Sequence, residues 1–79
     1  MIPRNLPSLT ADAVRNGWEI SLQHRYGPSV AVRLDRGGDI VRLEWWWKNR
    51  KLALSIAEIN NSPTNYAQCA RYVRSPEGA

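Results

Sequence analysis

Six residues carry the strongest chemical signal in this sequence: one tryptophan and five basic side chains. They are Arg33, Arg42, Trp46, Lys48, Arg50 and Lys51. An exposed indole ring can stack on a base or sugar, while Arg and Lys side chains contact phosphates. The same residue types are enriched at the hot spots of protein interfaces. The set therefore predicts a binding site for nucleic acid or, alternatively, for another protein.

Residues that could support catalysis or metal binding are few and scattered. The chain has one histidine, His24, and one cysteine, Cys69, which is too few for the usual zinc ligand sets. Asp35, Asp39 and Glu44 alternate with arginines, as surface ion pairs do. We therefore expect a non-enzymatic protein with no catalytic residues, no cofactor and no metal site.

Size and charge limit the classes of protein that the chain can form. Seventy-nine residues are enough for one small domain. Eleven Lys and Arg against seven Asp and Glu leave a formal charge of +4, which favours polyanionic partners. A single cysteine fits a reducing compartment, and neither a signal peptide nor a long apolar span is evident. We expect a cytoplasmic protein that does not contact membranes.

The residues between Trp18 and Ala57 alternate with the period of a β-strand, with a break at Tyr26-Gly27-Pro28. Gly37-Gly38 is a pair typical of a two-residue hairpin turn, and Asn49-Arg50 is placed for a second turn. These turns predict the apolar pairs Leu34–Val41, Val32–Leu43, Val30–Trp45, Trp47–Leu52, Trp45–Leu54 and Leu43–Ile56. Because all these residues then share one face, the pattern predicts a four-stranded antiparallel meander.

A short helix is expected on each side of the strands. The first runs from a cap at Ser8 or Thr10 through Asn16 and ends at Gly17. The second begins with Ser62 as N-cap and Pro63 at the first helical position. Its apolar residues Tyr66, Cys69, Ala70 and Val73 recur at helical spacing and are expected to cover the apolar sheet face.

The fold class expected is α+β: the four-stranded meander, a C-terminal helix packed on one face and a short N-terminal helix. Residues 8–74 form the single domain, residues 1–7 a flexible N-terminal arm and residues 75–79 a frayed C-terminus. On this register Trp45 and Trp47 enter the core, and Trp46 alone points to the opposite, second face of the sheet.

Three interpretations of the second face remain open. The N-terminal helix covers Trp46 through Leu9 and Val14, nucleic acid binds there, or Trp46 joins Ile40, Ala53 and Ala57 in an apolar patch for a protein partner. Arg33 stands opposite Arg42, which an anion would stabilise, although Asp35 and Glu44 are near enough to neutralise the pair.

The leading hypothesis is a small basic nucleic-acid-binding module, for DNA or RNA. It uses the second face and the basic residues around the second turn, Lys48, Arg50 and Lys51. The alternative is a protein-interaction module, such as an accessory or inhibitory protein of the kind that phages and mobile elements encode, with a homodimer as one form of that interaction.

Overall fold

The computed structural model describes residues 3–24 and 29–75. This part of the chain has the α+β composition that the sequence predicts, with one strand more. The elements are α1 (Leu6–Arg15), β1 (Glu19–His24), β2 (Val30–Arg36), β3 (Asp39–Lys48), β4 (Lys51–Ile59), β5 (Ser62–Pro63) and α2 (Tyr66–Arg74). The strands form one antiparallel sheet in sequence order, so the predicted meander is confirmed and is extended by β5.

The hairpin between β2 and β3 has the predicted register. Gly37 and Gly38 both have positive φ, 53° and 98°, which a two-residue turn of this kind requires and which glycine adopts without a steric penalty. The ladder pairs Leu34 with Val41, and it continues through Val32–Leu43 and Val30–Trp45 as predicted. The predicted break at Tyr26-Gly27-Pro28, between β1 and β2, lies outside the described residues.

The hairpin between β3 and β4 keeps the predicted register only as far as Leu54. Trp47 pairs with Leu52 and Trp45 with Leu54, but Glu44 pairs with Ile56, so Ser55 is an extra residue in β4. Such a β-bulge exchanges the two faces of the strand beyond it. The predicted pair of Leu43 with Ile56 is therefore wrong. Leu43 pairs with Ala57, which lies in the core and not on the second face.

A short fifth strand replaces the predicted start of the C-terminal helix. Asn60 and Asn61 have φ of 50° and 68° and turn the chain back, so that Ser62 pairs with Ile59 and Pro63 with Glu58. The prediction of Ser62 as N-cap is wrong. Asn65 caps α2 instead, because its side chain accepts a hydrogen bond of 2.9 Å from the Gln68 backbone N–H.

The N-terminal helix begins earlier than the predicted cap at Ser8 or Thr10. It starts at Leu6, which is buried, with a proline in its first positions. The last two residues of the predicted flexible arm, Leu6 and Pro7, therefore belong to the folded domain. The predicted end is correct, since Gly17 follows the helix with φ of 84°.

Both helices pack on the same face of the sheet, side by side. The predicted stripe on α2 is confirmed, and Leu9 and Ala13 of α1 are fully buried beside it. The resulting core comprises Leu6, Leu9, Ala13, Trp18, Val30, Val32, Leu34, Val41, Leu43, Trp45, Ala57, Cys69, Ala70 and Val73. The proposed cover of Trp46 by α1 is therefore wrong: Leu9 lies in the core and Val14 is exposed. No helix in the described ranges is long and apolar enough to cross a membrane.

Candidate binding surface at the tip of the third and fourth strands

The hairpin of β3 and β4 projects beyond the end of β2. The first residue of β2, Val30, pairs with Trp45, so residues 46–53 extend past it as a two-stranded ribbon. Trp46 pairs with Ala53 in this ribbon, and Lys48 pairs with Lys51. We call residues 46–53 the hairpin tip. It carries four of the six predicted site residues: Trp46, Lys48, Arg50 and Lys51.

Two tryptophan side chains are exposed at the hairpin tip, on opposite faces. Trp46 is 48% exposed on the second face, as predicted, and small Ala53 is its cross-strand neighbour. Trp47 is 41% exposed on the helix side, so its predicted burial is wrong. Alternation correctly gives the face on which Trp47 lies, but the helices do not extend far enough to cover it. Trp45 is the last residue of β3 that lies in the buried core, and its ring meets Tyr66 edge-on at 6.3 Å.

The basic side chains of the hairpin tip have no acidic partner among the described residues. Lys48, Arg50 and Lys51 are all exposed, and the ladder of β3 and β4 places Lys48 directly opposite Lys51. Like charges in this arrangement repel each other. Arg50 also has a positive φ of 64°, in a region that a residue with a Cβ rarely adopts. The tip thus combines a positive charge that no described residue compensates with an unfavourable backbone conformation.

Arg33 is paired with an acidic neighbour on its own strand. Its Nε lies 3.0 Å from Asp35 Oδ2 and its terminal nitrogen 3.0 Å from Asp35 Oδ1, a bidentate ion pair. The hydrogen bonds to Asp35 raise the pKa of the Arg33 guanidinium. Its charge is therefore already balanced within β2.

Arg42 lies opposite Arg33, as predicted, and it too is neutralised. It contacts Glu58 Oε1 at 2.9 Å and Glu44 Oε2 at 3.1 Å, and Glu44 is buried. This network occupies the second face between Trp46 and Ile40. The predicted apolar patch of Trp46, Ile40, Ala53 and Ala57 is therefore wrong, because charged groups interrupt it and Ala57 lies on the other face.

A shallow cleft of about 310 Å³ lies over this charged network. Its lining consists of Ala31, Val32, Arg33, Ile40, Arg42, Glu44 and Asn61. Because the charged side chains in it already form ion pairs, the cleft presents little unsatisfied charge to a ligand. Of the six predicted residues, the structure therefore brings four together at the hairpin tip and places Arg33 and Arg42 in a separate, neutralised cluster.

The helix side of the same hairpin carries a groove that the sequence did not predict. It has a volume of about 350 Å³ and is lined by Pro3, Arg4, Asn5, Trp45, Leu52, Leu54 and Tyr66. Leu54 is 37% exposed beside it. Strand β5 pairs only with Glu58 and Ile59, so the outer edge of β4 from Lys51 to Ile56 has no strand partner in the part that the structure describes. The signal for this groove in the sequence was the length of the β3–β4 hairpin, because the two short helices cover only part of it.

The remaining reactive groups fit a structural role. Cys69 is fully buried in α2, and burial raises the pKa of its thiol to about 11, so the thiol is neutral near pH 7. Within residues 3–24 and 29–75, no group of three or more His, Cys, Asp or Glu side chains is arranged to hold a metal ion.

We compared the chain with protein-family models, curated proteins and solved structures. None of these matches it.

Proposed function

We propose that the protein is a non-enzymatic module that binds nucleic acid through the hairpin tip. Trp46 stacks on a base or sugar, and Lys48, Arg50 and Lys51 contact phosphates. The observation that carries this proposal is the Lys48–Lys51 pair, which is uncompensated within the described residues and lies beside a half-exposed indole ring.

Two pairs of like charges in the sheet differ in whether carboxylates neutralise them, and this difference supports the proposal. Arg33 and Arg42 lie opposite each other, and three carboxylates balance them. Lys48 and Lys51 lie opposite each other with no carboxylate among their described neighbours. A bound phosphate would supply the missing negative charge at the second pair and is not needed at the first. The proposal therefore leaves Arg33 and Arg42 out of the contact surface.

Salt dependence tests the phosphate contacts. We expect the logarithm of the association constant for a single-stranded oligonucleotide to fall with the logarithm of salt concentration, with a slope of roughly −2 for three phosphate contacts. Fluorescence anisotropy of a labelled oligonucleotide measures this constant.

Arg50→Gly is the sharpest variant for this test, because glycine suits the positive φ at this position while the charge is removed. We expect a slope about 0.7 less negative and no loss of stability. Arg71→Ala, which removes one exposed charge from α2, is the matched control and should leave the slope unchanged. No binding at low salt, or equal effects of the two variants, would contradict the proposal.

A second candidate function, protein binding, is favoured by the helix side of the hairpin. The groove beside Leu54 and the unpaired edge of β4 together suit an extended segment of another chain or a second copy of this one. Such an interface would change little with salt. A measurement of molar mass in solution, with Leu54→Asp as the variant, tests the homodimer: a dimer that this variant dissociates supports it, and a monomer at high concentration rejects it.

A further inference from the structure

We infer that the hairpin tip selects single-stranded over double-stranded nucleic acid by stacking one base on each of its two faces. This inference rests on the proposed function and names the class of nucleic acid that the same site binds. The observation behind it is that Trp46 and Trp47 are both exposed, on opposite faces of one narrow ribbon.

The geometry of the ribbon makes both rings accessible. Successive side chains of a strand point to opposite faces, so the ring of Trp46 lies on the Ala53 side and that of Trp47 on the Leu52 side. The ribbon extends past Val30, and Trp45 is the last residue of β3 in the buried core, against which Leu52 of the ribbon is half-buried. Trp47 is held in place by the strand itself and by a 3.4 Å hydrogen bond from its backbone N–H to Ser29 Oγ.

The basic side chains of the tip lie on the path that leads from the face of Trp46, over the turn, to the face of Trp47. Lys48 and Lys51 share the face of Trp46, and Arg50 lies in the turn that joins the strands. A chain of phosphates that passes over the turn would contact these cations while its bases reach both faces. The chain reverses direction within two residues, so the path over the turn from one face to the other is short.

Single strands meet the requirements of this arrangement, and a regular duplex does not. Stacking on an indole needs a base whose face is open, as in single strands bound on aromatic platforms. Inside a duplex each base face is covered by its neighbours, and only the phosphates are available to the basic side chains. A duplex would therefore use the charges of the tip without using either ring.

The test compares a short oligothymidylate with a long blunt-ended duplex at the same concentration of phosphates. Affinity is measured by competition against the labelled oligothymidylate, and tryptophan emission reports on stacking. Because Trp18 and Trp45 are buried, quenching of the wild-type emission comes from the two exposed rings. We expect the single strand to bind at least about tenfold more tightly than the duplex, since stacking on each ring contributes roughly a factor of ten.

Variants of Trp46 and Trp47 measure the contribution of each face to binding separately. Trp46→Ala and Trp47→Ala should each weaken binding of the single strand about tenfold, and the double variant about a hundredfold. Duplex binding should stay unchanged in all three. Trp47→Leu keeps an apolar side chain opposite Leu52 and guards against a loss of folding, and it should weaken binding as Trp47→Ala does. Leu54→Ala, on the same side of the hairpin, is the matched control without a ring and should have no effect.

The outcomes distinguish this inference from the proposed function. Equal, salt-dependent binding of single strand and duplex would overturn the inference and leave the proposed function standing. So would an effect of Trp46→Ala with none of either Trp47 variant, since only one face would then stack. A failure of both nucleic acids to bind at low salt would overturn both.

Discussion

Three adjacent tryptophans of β3 have three different environments. Trp45 is 7% exposed in the core, whereas Trp46 and Trp47 are exposed on opposite faces. A substitution therefore has a different consequence at each position. Buried aromatic rings contribute mainly to stability, and exposed ones are available for contacts with a ligand.

We predict that Trp45→Ala lowers the free energy of unfolding by about 3–5 kcal/mol, because it removes a buried ring and its edge-on contact with Tyr66. Trp47→Ala should lower it by less than about 1 kcal/mol, as at exposed positions generally. Denaturant unfolding followed by circular dichroism measures both values. Similar losses for the two variants would show that Trp47 contributes to the core after all.

The faces on which Trp46 and Trp47 lie could be predicted from the sequence, and their exposure could not. Period-two alternation gives the face of each side chain, and both faces are as predicted. Burial also depends on how far α1 and α2 extend over the sheet, which alternation does not contain. Likewise, the opposition of Arg33 and Arg42 followed from the register. The choice of their ion-pair partners depended on side-chain geometry.

At the scale of elements, the turns decide which register the strands adopt. The Gly37-Gly38 turn could be predicted because two successive glycines are typical of a two-residue hairpin turn. The turn at Asn60-Asn61 was missed because asparagine also begins helices, and Ser62-Pro63 after it resembles a helix start. The bulge at Ser55 leaves no mark in an alternating pattern, since Leu54 and Ile56 fit either face.

The two asparagines of the Asn60-Asn61 turn allow a matched test of its side-chain contacts. Asn60 Oδ1 accepts a 2.8 Å hydrogen bond from the Ile40 backbone N–H, and its Nδ2 donates one of 3.1 Å to Asp39. We predict that Asn60→Gly lowers the free energy of unfolding by about 1–2 kcal/mol, since it preserves the positive φ but loses both bonds.

Asn61→Gly is the control for that variant. Its φ of 68° suits glycine, and no side-chain hydrogen bond of Asn61 is found within the described ranges, so stability should change by less than about 0.5 kcal/mol. Thermal unfolding monitored by circular dichroism compares the two variants. Equal effects would mean that Asn60 acts through its backbone conformation alone.

For the whole molecule, the contact between the two helices makes the free energy of unfolding depend on pH. Asp12 of α1 accepts a 2.7 Å ion-paired hydrogen bond from Arg74 Nε of α2, and it also pairs with Arg15. The hydrogen bonds from Arg74 and Arg15 lower the pKa of the Asp12 carboxyl. A lowered pKa in the folded state means that the unfolded chain binds a proton more readily.

The pH dependence follows from that direction. The stabilisation by Asp12 is fully present above the pKa of an unfolded Asp, about 3.9, and is lost as the pH falls through the lower pKa of the folded state. We predict that wild type is more stable than Asp12→Asn at pH 6 and that the difference disappears under strong acid. Urea unfolding across this range measures it, and a difference that stays constant with pH would contradict the prediction.

The side-by-side packing of α1 and α2 also gives the molecule an electrostatic polarity. Both helices begin near the hairpin tip, where Asn5 and Tyr66 border the groove, and both run towards the opposite end, where Arg74 meets Asp12. Their peptide dipoles therefore point the same way, and neither has an acidic residue in its first turn. Each N-terminus carries roughly half a positive charge. The backbone thus adds to the field of Lys48, Arg50 and Lys51, so an approaching polyanion would be steered towards the tip before any side chain touches it.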